Sequence, residues 1–419
     1  MAETVDQRNP KSASRPQSRG GQAGGRRAVR MVRPSLESFE ARQLLTMGAD
    51  LIIPADVVPI PQPSEIELIP SVPSPTYGEV WTVTAKLPEG GGPFDQVQFL
   101  VDGVEVGGPI PVKNGQAVSP ALNGLAAGVR QVTAVPLDLA KAPEEPTPLM
   151  LETPVLEVVV EKAPLIIRAN SVAIERFDDP ASALNQPGVI AFEGFVNGEG
   201  VSELVGDPVA TTPATSSSPI GRYAIEVDAS GVTAANYELQ TEDGELIIHP
   251  KILDVRARWN NRSISILGLD RTLPFQAHQA IEVVFSDPMT FPLNSDRPAL
   301  VRSNGLGVGS LNFNPAGTVA IFSFSKAPQA ERLSLKVGQG LSPKADATLS
   351  LLQSFNQNVT ILAGDANGDG VVTSADMVKI RNLIAISGSD PFADLNGDNT
   401  VNTTDMSLIR RRIGTRLPG

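Results

Sequence analysis

Gly364–Ile384 reads GDANGDGVVTSADMVKIRNLI, and Ala393–Ile413 reads ADLNGDNTVNTTDMSLIRRRI. The second stretch repeats the first 29 residues later: Asp365 maps to Asp394, Asn367 to Asn396, Asp369 to Asp398, Asp376 to Asp405, Met377 to Met406, Ile380 to Ile409 and Ile384 to Ile413. Each copy is a twelve-residue window with oxygen side chains at positions 1, 3, 5, 9 and 12. That pattern suits calcium, a hard ion that takes six to eight oxygen ligands in irregular geometry. Two metal sites are therefore expected. The first would use Asp365, Asn367, Asp369, the Val371 carbonyl, Thr373 and Asp376. The second would use Asp394, Asn396, Asp398, the Thr400 carbonyl, Asn402 and Asp405. Gly370 and Asn399 occupy position 6, where the chain must turn sharply and both residue types tolerate positive φ. After each loop, Met377, Ile380, Ile384 and Met406, Ile409, Ile413 recur at helical spacing. Each unit is thus a loop followed by a helix, with no clear entering helix. The alternative is a pair of polar Asx-rich turns.

On these motifs, residues 361–414 resemble a type I dockerin, the calcium-binding module that docks onto cohesin domains. The resemblance implies two calcium ions and a cohesin-like partner. In that family, positions 10 and 11 of the loops help choose the partner; here they are Ser374–Ala375 and Thr403–Thr404. Lys379, Arg381 and Arg410, with Arg411 and Arg412, would flank such a partner-binding face, or serve only as solvated charge near helix C-termini.

The 419 residues suffice for three or four domains. Gly (37) and Pro (36) are abundant and aromatics are 5%, which suits short strands and many turns rather than long helices. The net charge of −12 is uneven, because residues 1–33 are basic. An acidic body argues against nucleic acid as partner. The absence of cysteine excludes disulfides, thiol nucleophiles and thiolate metal sites. No run of 18 or more apolar residues exists, so no transmembrane helix is expected.

Upstream, residues 1–49 read as a disordered basic arm. Within it LESFEARQLLT, Leu36–Thr46, resembles the LEPR-x-LL N-terminal motif of exported planctomycete proteins, with Ala41 in place of the usual Pro. Residues 50–75 form a Pro-rich linker. Residues 76–163 resemble bacterial Ig-like domains through YGEVWTVTAKL, VQFLVDGVEVGG and LAAGVRQVTAV. Residues 164–250 resemble the MBG domain through FEGFVNGEGVSEL, SSPIGRYAIEV and GVTAANYELQTEDGELII. Hairpin turns are expected at Asn197–Gly198 and Asp243–Gly244. Residues 251–360 read as a further Ig-like β domain, and 361–419 as the dockerin. The expected fold class is mainly β: tandem Ig-like and MBG sandwich-type domains with a small α-helical, EF-hand-like module at the C-terminus.

Little material exists for catalysis. His249 and His278 are isolated and read as surface residues. No GxSxG, phosphate loop or HExxH occurs. Glycoside hydrolysis needs only two carboxylates, and Glu175, Asp178, Asp179, Glu193 and Glu199 are available without paired spacing. No catalytic residue is assigned. The reading is an exported, non-catalytic surface protein whose β domains act as spacers or adhesive modules, with cell-surface glycans as conceivable ligands. The alternative is a dockerin-borne subunit in polysaccharide degradation, as a glycosyl hydrolase or a glycan-binding component.

Overall fold

A computed structural model describes residues 66–88, 94–137, 153–260, 262–291, 297–302 and 309–418. All fall within one unit, Pro61–Gly419. The basic arm, the Leu36–Thr46 motif and most of the Pro-rich stretch lie outside the described residues.

The described chain is mainly β. It is built around four successive apolar cores. The first gathers Trp81, Val83, Ala85, Val97, Phe99, Val132 and Val158 between two sheets. Val83 and Ala85 face inward while Thr84 and Lys86 face outward, the period-two alternation of a half-buried strand. The Pro-rich stretch contributes a strand of its own, Glu67–Pro70, which pairs only with Val83–Lys86. Proline is tolerated there because an edge strand needs no second ladder of N–H donors.

The second core lies between a four-stranded and a three-stranded sheet. Two of its pairings are parallel: Val172–Glu175 with Gly244–His249, and Tyr237–Glu242 with Ala163–Ala169. This corrects the hairpin expected at Asp243–Gly244. The strands on either side of that dipeptide belong to different sheets, so it is a corner and not a hairpin. Glycine is required there by space, since a Cβ on Gly244 would lie 2.6 Å from the Ala169 carbonyl oxygen. Asn197 and Gly198 do take positive φ (54° and 75°), as expected, but the turn joins no paired strands. Instead it sets Glu199 against the hydroxyls of Tyr77 and Tyr237, tying the first β unit to the second. A short helix, α1 (Pro180–Leu184), is capped by the Asp179 carboxylate.

The third core is a sandwich of a five-stranded sheet (order 262–265, 252–259, 278–285, 319–323, 310–313) on a four-stranded one (272–273, 355–362, 330–337, 299–302). Its last strand, Phe355–Leu362, ends two residues before Gly364, so it enters the C-terminal repeats directly. Two helices follow, α2 (Ser374–Ala385) and α3 (Thr403–Arg410). They bury Ile380 and Ile409 against Leu362, Ala366, Val372, Ala393 and Leu395. The helical pattern overreaches at its end. Helix α3 stops at Arg410, Gly414 takes φ +90°, and Ile413 is left exposed where its counterpart Ile384 is partly covered.

Candidate metal centre

The two repeats share the main hydrogen bonds of their loops. The Asp365 carboxylate accepts N–H bonds from Gly368, Asp369 and Gly370 at 2.7, 3.1 and 2.9 Å. Asp394 accepts from Gly397, Asp398 and Asn399 at 2.9, 3.1 and 3.0 Å. The loop is thereby wrapped around its first aspartate. Asn367 and Asn396 each accept the N–H two residues on and donate to the position-5 carboxylate, Asp369 or Asp398. Position 6 takes positive φ in both copies, +87° at Gly370 and +71° at Asn399, as the sequence led one to expect.

Each closing aspartate links the start of its loop to the start of the following helix. Asp376 accepts N–H bonds from Asn367 and Thr373, joining the start of its loop to the start of α2. Asp405 does the same with Leu395, Asn396 and Asn402 at α3. Thr373 and Asn402 cap the helices in return, completing a capping box at each.

Asp365, Asp376, Asp394 and Asp405 are all buried. Burial pushes the Asp376 carboxyl up, and the charges of Asp365 and Asp369 push it further. Burial likewise raises Asp405, with Asp394 adding to it. Asp398 is held low, first by the Thr400 hydroxyl. Among the described residues no three Asp, Glu, His or Cys side chains form a tight cation cage. The donor chemistry nevertheless fits a hard divalent cation. Each loop places buried like charges within an all-oxygen set of Asp, Asn, Thr and backbone carbonyl, and anions so buried are costly unless a cation offsets them.

The residues expected to meet a partner fall into two groups. Ser374, Ala375, Arg381, Thr403, Thr404 and Arg410 are exposed on the helices. Lys379 turns inward, donating to the Ala366 carbonyl at 2.9 Å and pairing with Asp390 at 2.7 Å.

A further set of residues came from far away in the chain. The third β unit grips both loops at the same atom. Thr272 donates its hydroxyl to Asp365 Oδ2, and Arg262 donates to Asp394 Oδ2 at 2.9 Å. Arg262 also reaches Asn399. Between them, Pro274 O accepts from Gly364 N–H and Gln276 N–H donates to Leu395 O. Phe275 stacks on Trp259 with centroids 3.6 Å apart and faces Phe392 at 5.9 Å. No local sequence signal marks these residues, since NRSIS and RTLPFQ read as ordinary β-domain segments.

The histidines and the upstream carboxylates are taken up by the β units. His278, expected at the surface, is 2% exposed beside Phe275, and burial lowers its imidazole to about 4. It opens the central strand His278–Phe285, so its ring is enclosed by the core. His249 meets the Ser350 carbonyl. Glu175 and Asp178 pair with Lys251, and Glu193 pairs with Arg168.

Residues 363–414 match the Dockerin type I domain, and residues 167–247 match the MBG domain (YGX type). A comparison with curated protein sequences gives no match. Among solved structures, the chain is similar to three N-terminal domains of the bacteriophage RB49 Highly Immunogenic Outer Capsid protein (10% identity, 72% of this chain, 99% of that one, TM-score 0.24). It is also similar to the Escherichia coli adhesin FdeC (11%, 71% and 98%, 0.19) and to fibronectin(III)-like modules of Clostridium thermocellum CbhA (10%, 71% and 94%, 0.16). At these scores the likenesses carry no functional argument. The chain thus carries an MBG domain in its middle and a type I dockerin at its C-terminal end.

Proposed function

We propose that this is an exported, modular surface protein whose dockerin binds two calcium ions, one per loop, and docks onto a cohesin-like partner through the outer faces of α2 and α3. The observation that carries the reading is the matched pair of loops, each wrapped on a buried position-1 aspartate and closed by an aspartate that also caps the following helix. When bound, calcium supplies positive charge among buried carboxylates. The residues of the chain do the rest: Asp376 and Asp405 link each loop to its helix, so ordering the loop orders the helix start. Binding free energy then adds to folding free energy.

What the fold covers and leaves open supports this docking face. The third β unit sits on the loop side, leaving Ser374, Ala375, Arg381, Thr403, Thr404 and Arg410 open on the helices. Met377, Thr403, Met406, Ser407 and Arg410 line a shallow cavity between α2 and α3. The domain boundaries proposed are 76–163, 164–250, 251–360 and 361–419, with the three β units as spacers or adhesive modules. A role in glycan degradation has less support, since the candidate carboxylates are engaged in ion pairs, a cap and the Tyr77–Glu199–Tyr237 contact.

The test is capture of the full chain on immobilised cohesin domains in calcium and again in excess chelator. Capture only in calcium, lost on Ser374→Trp combined with Thr403→Trp, supports the reading. Calcium binding without capture by any cohesin tested would leave the module a structural clasp and sink the docking claim.

A further inference from the structure

The dockerin's two position-1 aspartates are contacted from outside by the same β unit, but not by the same chemistry. Asp365 Oδ2 receives the neutral hydroxyl of Thr272. Asp394 Oδ2 receives the Arg262 guanidinium, at 2.9 Å, with the carboxylate 3% exposed and the arginine 26% exposed. A second cation, Arg271, approaches the first loop, but it donates to the Ala366 carbonyl at 3.1 Å and rests on the Phe392 ring at 4.0 Å, touching no carboxylate of that loop. Lys379 reaches the same carbonyl. Among the described residues, only the second loop therefore has a position-1 carboxylate already paired with a fixed cation.

We infer that Arg262 is a built-in competitor for the second cation site, so that the loop at 365–376 binds calcium tightly and the loop at 394–405 binds it weakly, with occupancy of the weak site loosening the Arg262 contact. This rests on the calcium reading above. The physical reason is twofold. A guanidinium beside a carboxylate reduces the field that attracts a second cation, and its N–H occupies lone-pair capacity on a ligand oxygen. By linkage, whatever Arg262 subtracts from calcium affinity, calcium subtracts from the Arg262 contact. The neutral Thr272 carries no such penalty.

A native reporter stands at the joint. Trp259 lies beside Gly397, where an added Cβ would fall 3.0 Å from the indole nitrogen, and that nitrogen is buried without a hydrogen-bond partner. The Arg262 guanidinium lies 5.8 Å from its ring. The other tryptophan, Trp81, is in the first β core. In the full chain carrying Trp81→Phe, indole fluorescence therefore reads the second loop.

The experiment is calorimetric titration of calcium into this full chain, with fluorescence followed in parallel. The expected result is two separable steps, with the fluorescence change confined to the weaker. Arg262→Gln should tighten the weaker step by on the order of ten-fold, the scale of a nearby charge on a carboxylate, and leave the tighter one in place. Arg262→Lys, which keeps the charge, should restore a gap between the steps. Arg271→Gln should move neither step by more than about three-fold. Thermal unfolding without calcium checks that each variant is folded. Two steps that stay put in folded Arg262→Gln, or a weaker second step in it, overturn the inference while leaving the calcium reading intact. No binding by the starting chain overturns the calcium reading itself.

Discussion

The two repeats share an internal hydrogen-bond scheme and differ in what holds them from outside. The preceding domain holds the first loop through the neutral Thr272 hydroxyl, and the end of the loop's own module holds it as well: Val372 N–H donates to Thr415 O, and Gly414 N–H donates to Val372 O, both at 2.9 Å. The second is fastened by the preceding domain, through Arg262, Asn260 and the Trp259 face. A duplicated sequence therefore does not yield duplicated sites. The local pattern fixes each loop, and its surroundings set how each responds.

Removing a closing aspartate should have the largest effect. Asp376→Ala or Asp405→Ala takes away the oxygen pair of a proposed ligand and half of a capping box together. Each should abolish one calcium step, weakening it by at least roughly 100-fold, and lower the stability of its helix start by about 1 kcal/mol. Calorimetry and circular dichroism on the full chain check both. Loss of both steps from a single substitution would show that the loops are one cooperative site, which breaks the comparison.

Acid should act next, through the domain that grips the loops. Burial lowers the His278 imidazole to about 4 in the fold, while in the unfolded chain it is ordinary, near 6.5. A lowered histidine costs nothing above its unfolded value. Stability is then lost progressively as pH falls from about 6.5 towards 4, by about 3 kcal/mol in total. Denaturant unfolding of the third β unit and dockerin across that range should show the slope, and His278→Leu should flatten it. An unchanged slope in that variant would assign the acid sensitivity elsewhere.

Deleting residues 414–419 should weaken the first loop alone, by about 2 kcal/mol, from two lost backbone hydrogen bonds and the packing of Leu417. An equal loss at the second loop would show that the tail serves both. The smallest change is at position 6. Gly370→Ala places a Cβ at φ +87° and should cost about 1 kcal/mol, whereas Asn399→Gly at φ +71° should shift backbone stability by only a few tenths of a kcal/mol. Any larger effect of Asn399→Gly then measures its contact with Arg262.

The sequence by itself determined the repeats. The spacing of their Asp and Asn side chains, the sharp turns at Gly370 and Asn399, and the helix starts around Asp376 and Asp405 all arise within about twelve residues, where local hydrogen bonds and φ preferences decide the outcome. Strand alternation was legible for the same reason, as at Val83–Lys86. Tertiary structure decided what depends on partners distant in the chain. Parallel pairing turned Asp243–Gly244 from a hairpin into a corner, because residues 237–242 and 244–249 found different neighbours. The sandwich core enclosed His278 although its own neighbours are polar. Arg262 and Thr272 meet their aspartates across 132 and 93 positions of chain. Pattern in a sequence reports which face is apolar and where the backbone must bend; it carries no record of which remote side chain will occupy the last lone pair of a buried carboxylate.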